Sequence, residues 1–143
     1  MRYSKKTTKK VAGLFKEIDA TTERAEKTRE ELFAELKSAL EYHTQVEEDF
    51  LYPVLEEVGV THDIALEAQA EHDVVKTLLK ELSRMSPTED EWTAKVTVMQ
   101  ENIEHHVEEE ETEMFPKAEK VMSEEQLTTL SGQILKMREE SEL

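Results

Sequence analysis

Two stretches of the chain are near copies of each other, and both put charge where a helix needs hydrocarbon. Residues 43–53, HTQVEEDFLYP, align without a gap on residues 106–116, HVEEEETEMFP. The histidine, the glutamate four later, the glutamate after it, the aromatic residue and the proline coincide, so His106, not His105, is the counterpart of His43. Upstream, residues 72–82 (HDVVKTLLKEL) align on residues 8–18 (TKKVAGLFKEI). Each half reads as a helical hairpin, and two hairpins make a four-helix bundle.

Apolar residues recur at helical spacing along the chain. A first helix is expected from Ser4 to Ala20, presenting Val11, Leu14, Phe15 and Ile18. A second runs to about Glu57 with Leu36, Leu40, His43, Glu47, Phe50 and Val54 in one stripe. The third carries Ala65, Ala68, His72, Val75, Leu79 and Leu82; the fourth carries Trp92, Val96, Met99, Ile103, His106, Glu110 and Met114. Gly59 should end the second helix and Thr61 cap the third. Ser86 should cap the fourth, with Pro87 in its first turn. Ser123 and Gln126 form a capping box for a fifth helix. The expected fold is all-α: one domain over residues 1–143, an up-down-up-down four-helix bundle over about 4–118 and a short C-terminal helix over about 123–139.

Composition narrows the partners. A formal charge of −16 disfavours nucleic acid and anionic membrane surfaces, which both select Lys and Arg, and it suits cations. With no cysteine, disulfides, zinc–thiolate sites and iron–sulfur clusters are excluded. The opening MRYSKKTTKK has no apolar core of a signal peptide, and no apolar run approaches membrane-spanning length. A soluble, cytoplasmic protein is the expectation.

The anomaly lies in the stripes. His43 and Glu47, His106 and Glu110, and His72 all hold seam positions, where a buried imidazole or carboxylate is costly unless paired or bound to a metal. Five such side chains aimed at one core call for a common partner. Histidines with two glutamates favour iron or manganese, with zinc as competitor. The H-x-x-x-E spacing puts both side chains on one helix face, so the imidazole can hold one ion while the carboxylate reaches between two. Ferritin-like di-iron bundles use Glu-x-x-His instead. The residues three before His43, His62, His72, His105 and His106 are Leu40, Gly59, Gln69, Asn102 and Ile103, none acidic, which disfavours that class.

From Thr8 to about Pro116 the chain resembles the hemerythrin-like, or HHE cation-binding, family, through HTQVEEDFLYP, EHDVV and HHVEEEETEMFP in that order. The resemblance implies a four-helix bundle enclosing a carboxylate-bridged, non-haem di-iron centre. It implies His43, His72 and His106 as terminal ligands and Glu47 and Glu110 as bridges. The family's first-helix histidine falls on Thr8, a departure that predicts a weaker ion on the His43 side, with water or a shifted Glu48 filling the gap.

Other polar residues carry plainer readings. Glu48 and Glu111 read as solvated or supporting acids, and Glu108, Glu109 and Glu113 as surface charge. His105 reads as an exposed neighbour of His106, and His62 as lying at a helix end. Met99 and Met114 are core filler. Tyr52-Pro53 and Phe115-Pro116 end or kink helices and pack the bundle floor. The resemblance implies a non-catalytic protein that binds, senses or stores dioxygen or nitric oxide, or handles iron, with Phe15, Phe50, Leu79 and Ile103 excluding larger molecules. Two alternatives stand beside it: a di-iron enzyme that decomposes peroxide or acts as an oxidase, and a metal-free acidic interaction module. No sequence signature sets an oligomeric state.

Overall fold

In the computed structural model, the backbone is described for residues 2–130 and 132, and side chains from Lys9 onward. All regular structure among the described residues is helical. Helix α1 (Arg2–Asp19) leads to α2 (Glu26–Val46), a single π-helical turn π1 (Glu47–Leu51) and α3 (Tyr52–Glu56), which continue one another without a break. After α4 (His62–Ser83), the pattern repeats as α5 (Asp90–Glu109), π2 (Glu110–Met114) and α6 (Phe115–Val121). Four rods thus stand antiparallel through the connections at 20–25, 57–61 and 84–89, α1 against α2 and α4 against α5. A short helix follows at 124–130; the expected continuation to about 139 lies outside the described residues apart from Gly132. No helix among the described residues is long and apolar enough to cross a membrane.

The core has two apolar halves. One packs Val11, Phe15, Leu36, Leu79, Trp92 and Met99 beside the 20–25 and 84–89 connections. The other packs Val46, Leu51, Tyr52, Leu55, Ala65, Met114 and Phe115 toward the opposite end, with Leu130 of the short helix. Between them lies a layer of buried polar side chains: His43, Glu47, His72, His106 and Glu110.

The two π turns explain where the second stripe departs from its expected course. Pro53 and Pro116 have no N–H, so the carbonyls four residues before them cannot close an ordinary α-helical bond. The chain widens one turn earlier: the Tyr52 N–H reaches the Glu47 carbonyl and the Phe115 N–H reaches that of Glu110. The extra residue turns the seam by one position. Phe50 and Val54, expected in the core, are only partly buried, while Leu51 and Leu55 are buried in their place.

The caps also differ from expectation. Gly59 does not adopt a left-handed conformation, and α3 ends earlier, at Glu56. Thr61 occupies the N-cap position of α4, but its hydroxyl donates to the Leu55 carbonyl at 2.7 Å instead of accepting from the helix. Ser86 closes a turn through its bond from the Thr88 N–H, and α5 begins only at Asp90. At 123 the capping box forms as expected: Gln126 Oε1 accepts from the Ser123 N–H and Ser123 Oγ from the Gln126 N–H.

One buried cation secures the far end of the bundle. The Arg29 guanidinium donates to the Pro87 carbonyl and the Thr93 hydroxyl, and to Thr21 Oγ1, and lies 5.2 Å from the centre of the Trp92 ring. It therefore joins the 20–25 and 84–89 connections. Arg29→Met keeps the stem but leaves those acceptors unpaired, and should cost about 1–3 kcal/mol in denaturant unfolding without changing metal uptake. A midpoint equal to that of the wild type contradicts this role.

Candidate metal centre

The helical seams bring all five sequence-derived candidates into one buried layer: His43 and Glu47 from α2 and π1, His72 from α4, His106 and Glu110 from α5 and π2. Glu47 and Glu110 have no solvent exposure. The donors of Glu47, His72, His106 and Glu110 lie within 4.8 Å of one another. Each glutamate opens a π turn, so each carboxylate sits where the helix is widest.

A sixth group joins them. The Tyr52 hydroxyl lies 3.0 Å from His72 Nε2, 3.1 Å from Glu47 Oε2 and 3.4 Å from His106 Nε2. In an α-helix the fifth residue on points about 140° away from the first. A π turn closes on the fifth residue, which returns Tyr52 to the face of Glu47. From the sequence Tyr52 is expected in the bundle floor. The available signal was the one chemical difference at that column of the repeat, a phenol against the ring of Phe115.

The spacings suit an ion. Two donors at right angles, each about 2.1 Å from a metal, are about 3.0 Å apart. His72 Nε2 and His106 Nε2 are 3.1 Å apart, and the Tyr52 oxygen makes edges of similar length with His72 and Glu47. The carboxylates face two ways. Glu47 turns Oε2 to Tyr52 and Oε1 to His43; Glu110 turns Oε1 to His106 at 2.7 Å and Oε2 towards His43 at 3.9 Å. One oxygen of each therefore faces the group made by His72, His106 and Tyr52 and the other faces His43, with Glu47 Oε1 also 3.8 Å from His72 Nε2.

The hydrogen bonding is incomplete in the way a cation would complete it. Glu47 Oε1 and both oxygens of Glu110 are buried and accept no hydrogen bond, although His43 and His106 stand close beside them. Buried carboxylate oxygens that accept no hydrogen bond are expensive, and a shared metal would satisfy all three. The donor set fits an ion bound by nitrogen and oxygen.

Without that ion, protons take its place. Burial works against charge on His43, but Glu47 and Glu110 overcome it and push its pKa up to about 10. His106 is likewise opposed by burial and lifted by Glu110 and Glu71 to about 11. His72 is pressed down to about 3 by burial and by the charge on His106, so it is neutral. Burial and the neighbouring Glu110 raise Glu47 to about 7. Glu110 resists burial through its contacts with Glu47, His106 and His43, and stays well below the usual carboxylate range.

The remaining candidates fall outside the layer. Glu48 is held by Lys76, with contacts of 2.6 and 2.8 Å, and by Gln69, and not by the layer. Glu111, Glu108 and Glu113 are exposed, as is His105, which pairs with Glu109 at 3.0 Å. His62 is exposed at the start of α4 with its ring on the Glu56 carbonyl. Met99 and Met114 are buried core. The side chain of Thr8 lies outside the described residues.

Residues 8–118 match the family described as the hemerythrin HHE cation binding domain. The fold is similar to the crystal structure of a hemerythrin HHE cation binding domain-containing protein from Mycobacterium kansasii, with a TM-score of 0.76 and 25% sequence identity, covering 96% of this chain and 85% of that one. No curated protein matches the chain.

Proposed function

Because the chain belongs to the hemerythrin HHE cation-binding domain family, we propose that it is a non-haem, carboxylate-bridged di-iron protein that binds, senses or stores a small ligand such as dioxygen or nitric oxide. The observation that carries the reading is the two-way orientation of Glu47 and Glu110, each with one oxygen toward His43 and one toward the His72–His106–Tyr52 group. His72, His106 and Tyr52 would hold one ion and His43 the other, with the two glutamates shared. Bound iron would supply one-electron chemistry and open coordination positions for a diatomic molecule.

The protein's own part is placement and exclusion. Leu40 and Met99 on one side and Val46, Ala68 and Met114 on the other are buried hydrocarbon bounding the layer along the bundle. That surround keeps the dielectric low and favours small, neutral visitors over charged substrates. Thr8 stands where the family has its first-helix histidine, so the ion on the His43 side should be the more exchangeable of the two.

Elemental analysis of protein purified without chelator and then reconstituted anaerobically with ferrous iron tests the reading. About two irons per chain are expected. Retention of none, with the chain folded, overturns it in favour of an acidic interaction module. Exposure of the reduced protein to air then separates carriage, seen as a reversible spectral change, from peroxide turnover. Tyr52→Phe should keep the iron but lose any visible band that arises from phenolate-to-ferric charge transfer. An identical spectrum in the variant would show that the phenol oxygen does not reach the ion.

A further inference from the structure

The outer nitrogens of the imidazoles are not treated alike. His72 Nδ1 is buried with no hydrogen-bond partner. His106 Nδ1 instead meets Glu71 Oε2 at 3.1 Å, across the α4–α5 interface. Glu71 directly precedes His72, so one short stretch of α4 presents a donor to the centre and an acceptor to the ring standing beside it. His72 is buried and Glu71 half-buried, which leaves the Glu71 carboxylate at the edge of the layer, outside the group that would face an ion.

We infer that Glu71 is a positioning residue for the centre, which fixes the His106 ring so that Nε2, and only Nε2, faces Tyr52, His72 and Glu110. The inference rests on the metal-binding reading above. A carboxylate can only accept, so the hydrogen on the facing nitrogen stays on Nδ1. Nε2 is then the nitrogen left to donate its lone pair inward. The ring cannot flip without giving up the Glu71 bond, and the anion behind it makes Nε2 a stronger donor. Carboxylates behind metal-bound histidines act this way generally, and losing one typically costs 10–100-fold in metal affinity.

Neighbouring charge offers a competing explanation. Glu109 lies close to Glu71, and its own carboxyl is raised to about 7 first by their hydrogen bond. If negative potential alone mattered, Glu109 would serve as well as Glu71. The hydrogen bond predicts that it does not, because Glu109 contacts His105 and not His106.

The test uses the full chain with three substitutions: Glu71→Ala, Glu71→Gln and Glu109→Gln. Competition for ferrous iron against a chelator should show Glu71→Ala weakened about 10–100-fold for one of the two ions. Glu71→Gln, whose amide oxygen still accepts from Nδ1 but carries no charge, should lose less than Glu71→Ala, and Glu109→Gln should match the wild type. Exchange of the His106 Nδ1 proton with water, followed by NMR on the metal-free chain, should be slow in the wild type and Glu71→Gln and fast in Glu71→Ala. Wild-type affinity and slow exchange in Glu71→Ala overturn the inference, as does a Glu109→Gln loss equal to that of Glu71→Ala. If Glu71→Ala does not fold, Glu71→Asp, with the arm one methylene shorter, takes its place with the same expected losses. The exchange measurement needs no metal: a wild type that takes no iron defeats the proposed function, while the proton still decides the part played by Glu71.

Discussion

Replacing His43 and His106 by leucine together with Glu47 and Glu110 by methionine is expected to abolish metal uptake and to make the metal-free protein more stable, by about 1–4 kcal/mol. The four side chains lie in one buried layer between two hydrocarbon clusters. Three of their carboxylate oxygens accept no hydrogen bond. Taking such charges out of water costs more than their mutual attraction returns when the hydrogen bonding is incomplete. Apolar residues of similar volume would join the clusters above and below. Denaturant unfolding of both metal-free proteins measures the change. A large loss of stability in the variant would mean that the layer is a structural polar network, made for folding and not for an ion. Changing a single member is a poorer test, since it strands the remaining charges.

Metal affinity should climb steeply with pH. In the metal-free chain His43 keeps its proton up to about 10 and His106 up to about 11. A protonated ring cannot donate to a cation, so both protons must leave when metal enters. At pH 8 Glu47, with a pKa of about 7, is already mostly ionised. Binding should then release about two protons per chain, rising toward three below pH 7 where Glu47 is protonated as well. Affinity follows the same sign: it increases about 100-fold per pH unit near pH 8 and levels off above the histidine pKa values, where no proton remains to displace. Titration of weakly buffered protein with metal, read by a pH electrode, counts the protons directly. Affinity that does not change between pH 6 and 9 would mean that the imidazoles are not the groups the metal displaces.

The bundle and five members of the layer were legible because both depend on simple periodicity. A histidine and a glutamate four apart, repeated with the same following aromatic and proline, mark a seam that hydrocarbon should have filled. What escaped the reading depended on contacts between elements or on a change of helical pitch. The π turns add one residue per turn, so the stripe predicted through Phe50 and Val54 slipped to Leu51 and Leu55. The same widening carried Tyr52 from the floor into the polar layer. Pro53 and Pro116 were the local clue, since each removes the N–H that would hold the preceding turn at α-helical pitch. Glu71 was invisible for another reason. Its partner His106 is on a different rod, and nothing in the spacing along α4 marks Glu71 as the glutamate that meets an imidazole. The caps at Thr61 and Ser86 were misjudged because their hydroxyls find nearer partners, the Leu55 carbonyl for one and the Thr88 amide for the other.

Anomalous scattering at the iron absorption edge, from crystals of the iron-reconstituted protein, tests the central claim most directly. Two peaks roughly 3.5–4 Å apart are expected, with Glu47 and Glu110 reaching both, His72, His106 and Tyr52 around one, and His43 at the other. A folded chain with no iron peak in this layer, or with iron held only by exposed acids elsewhere, would contradict the account.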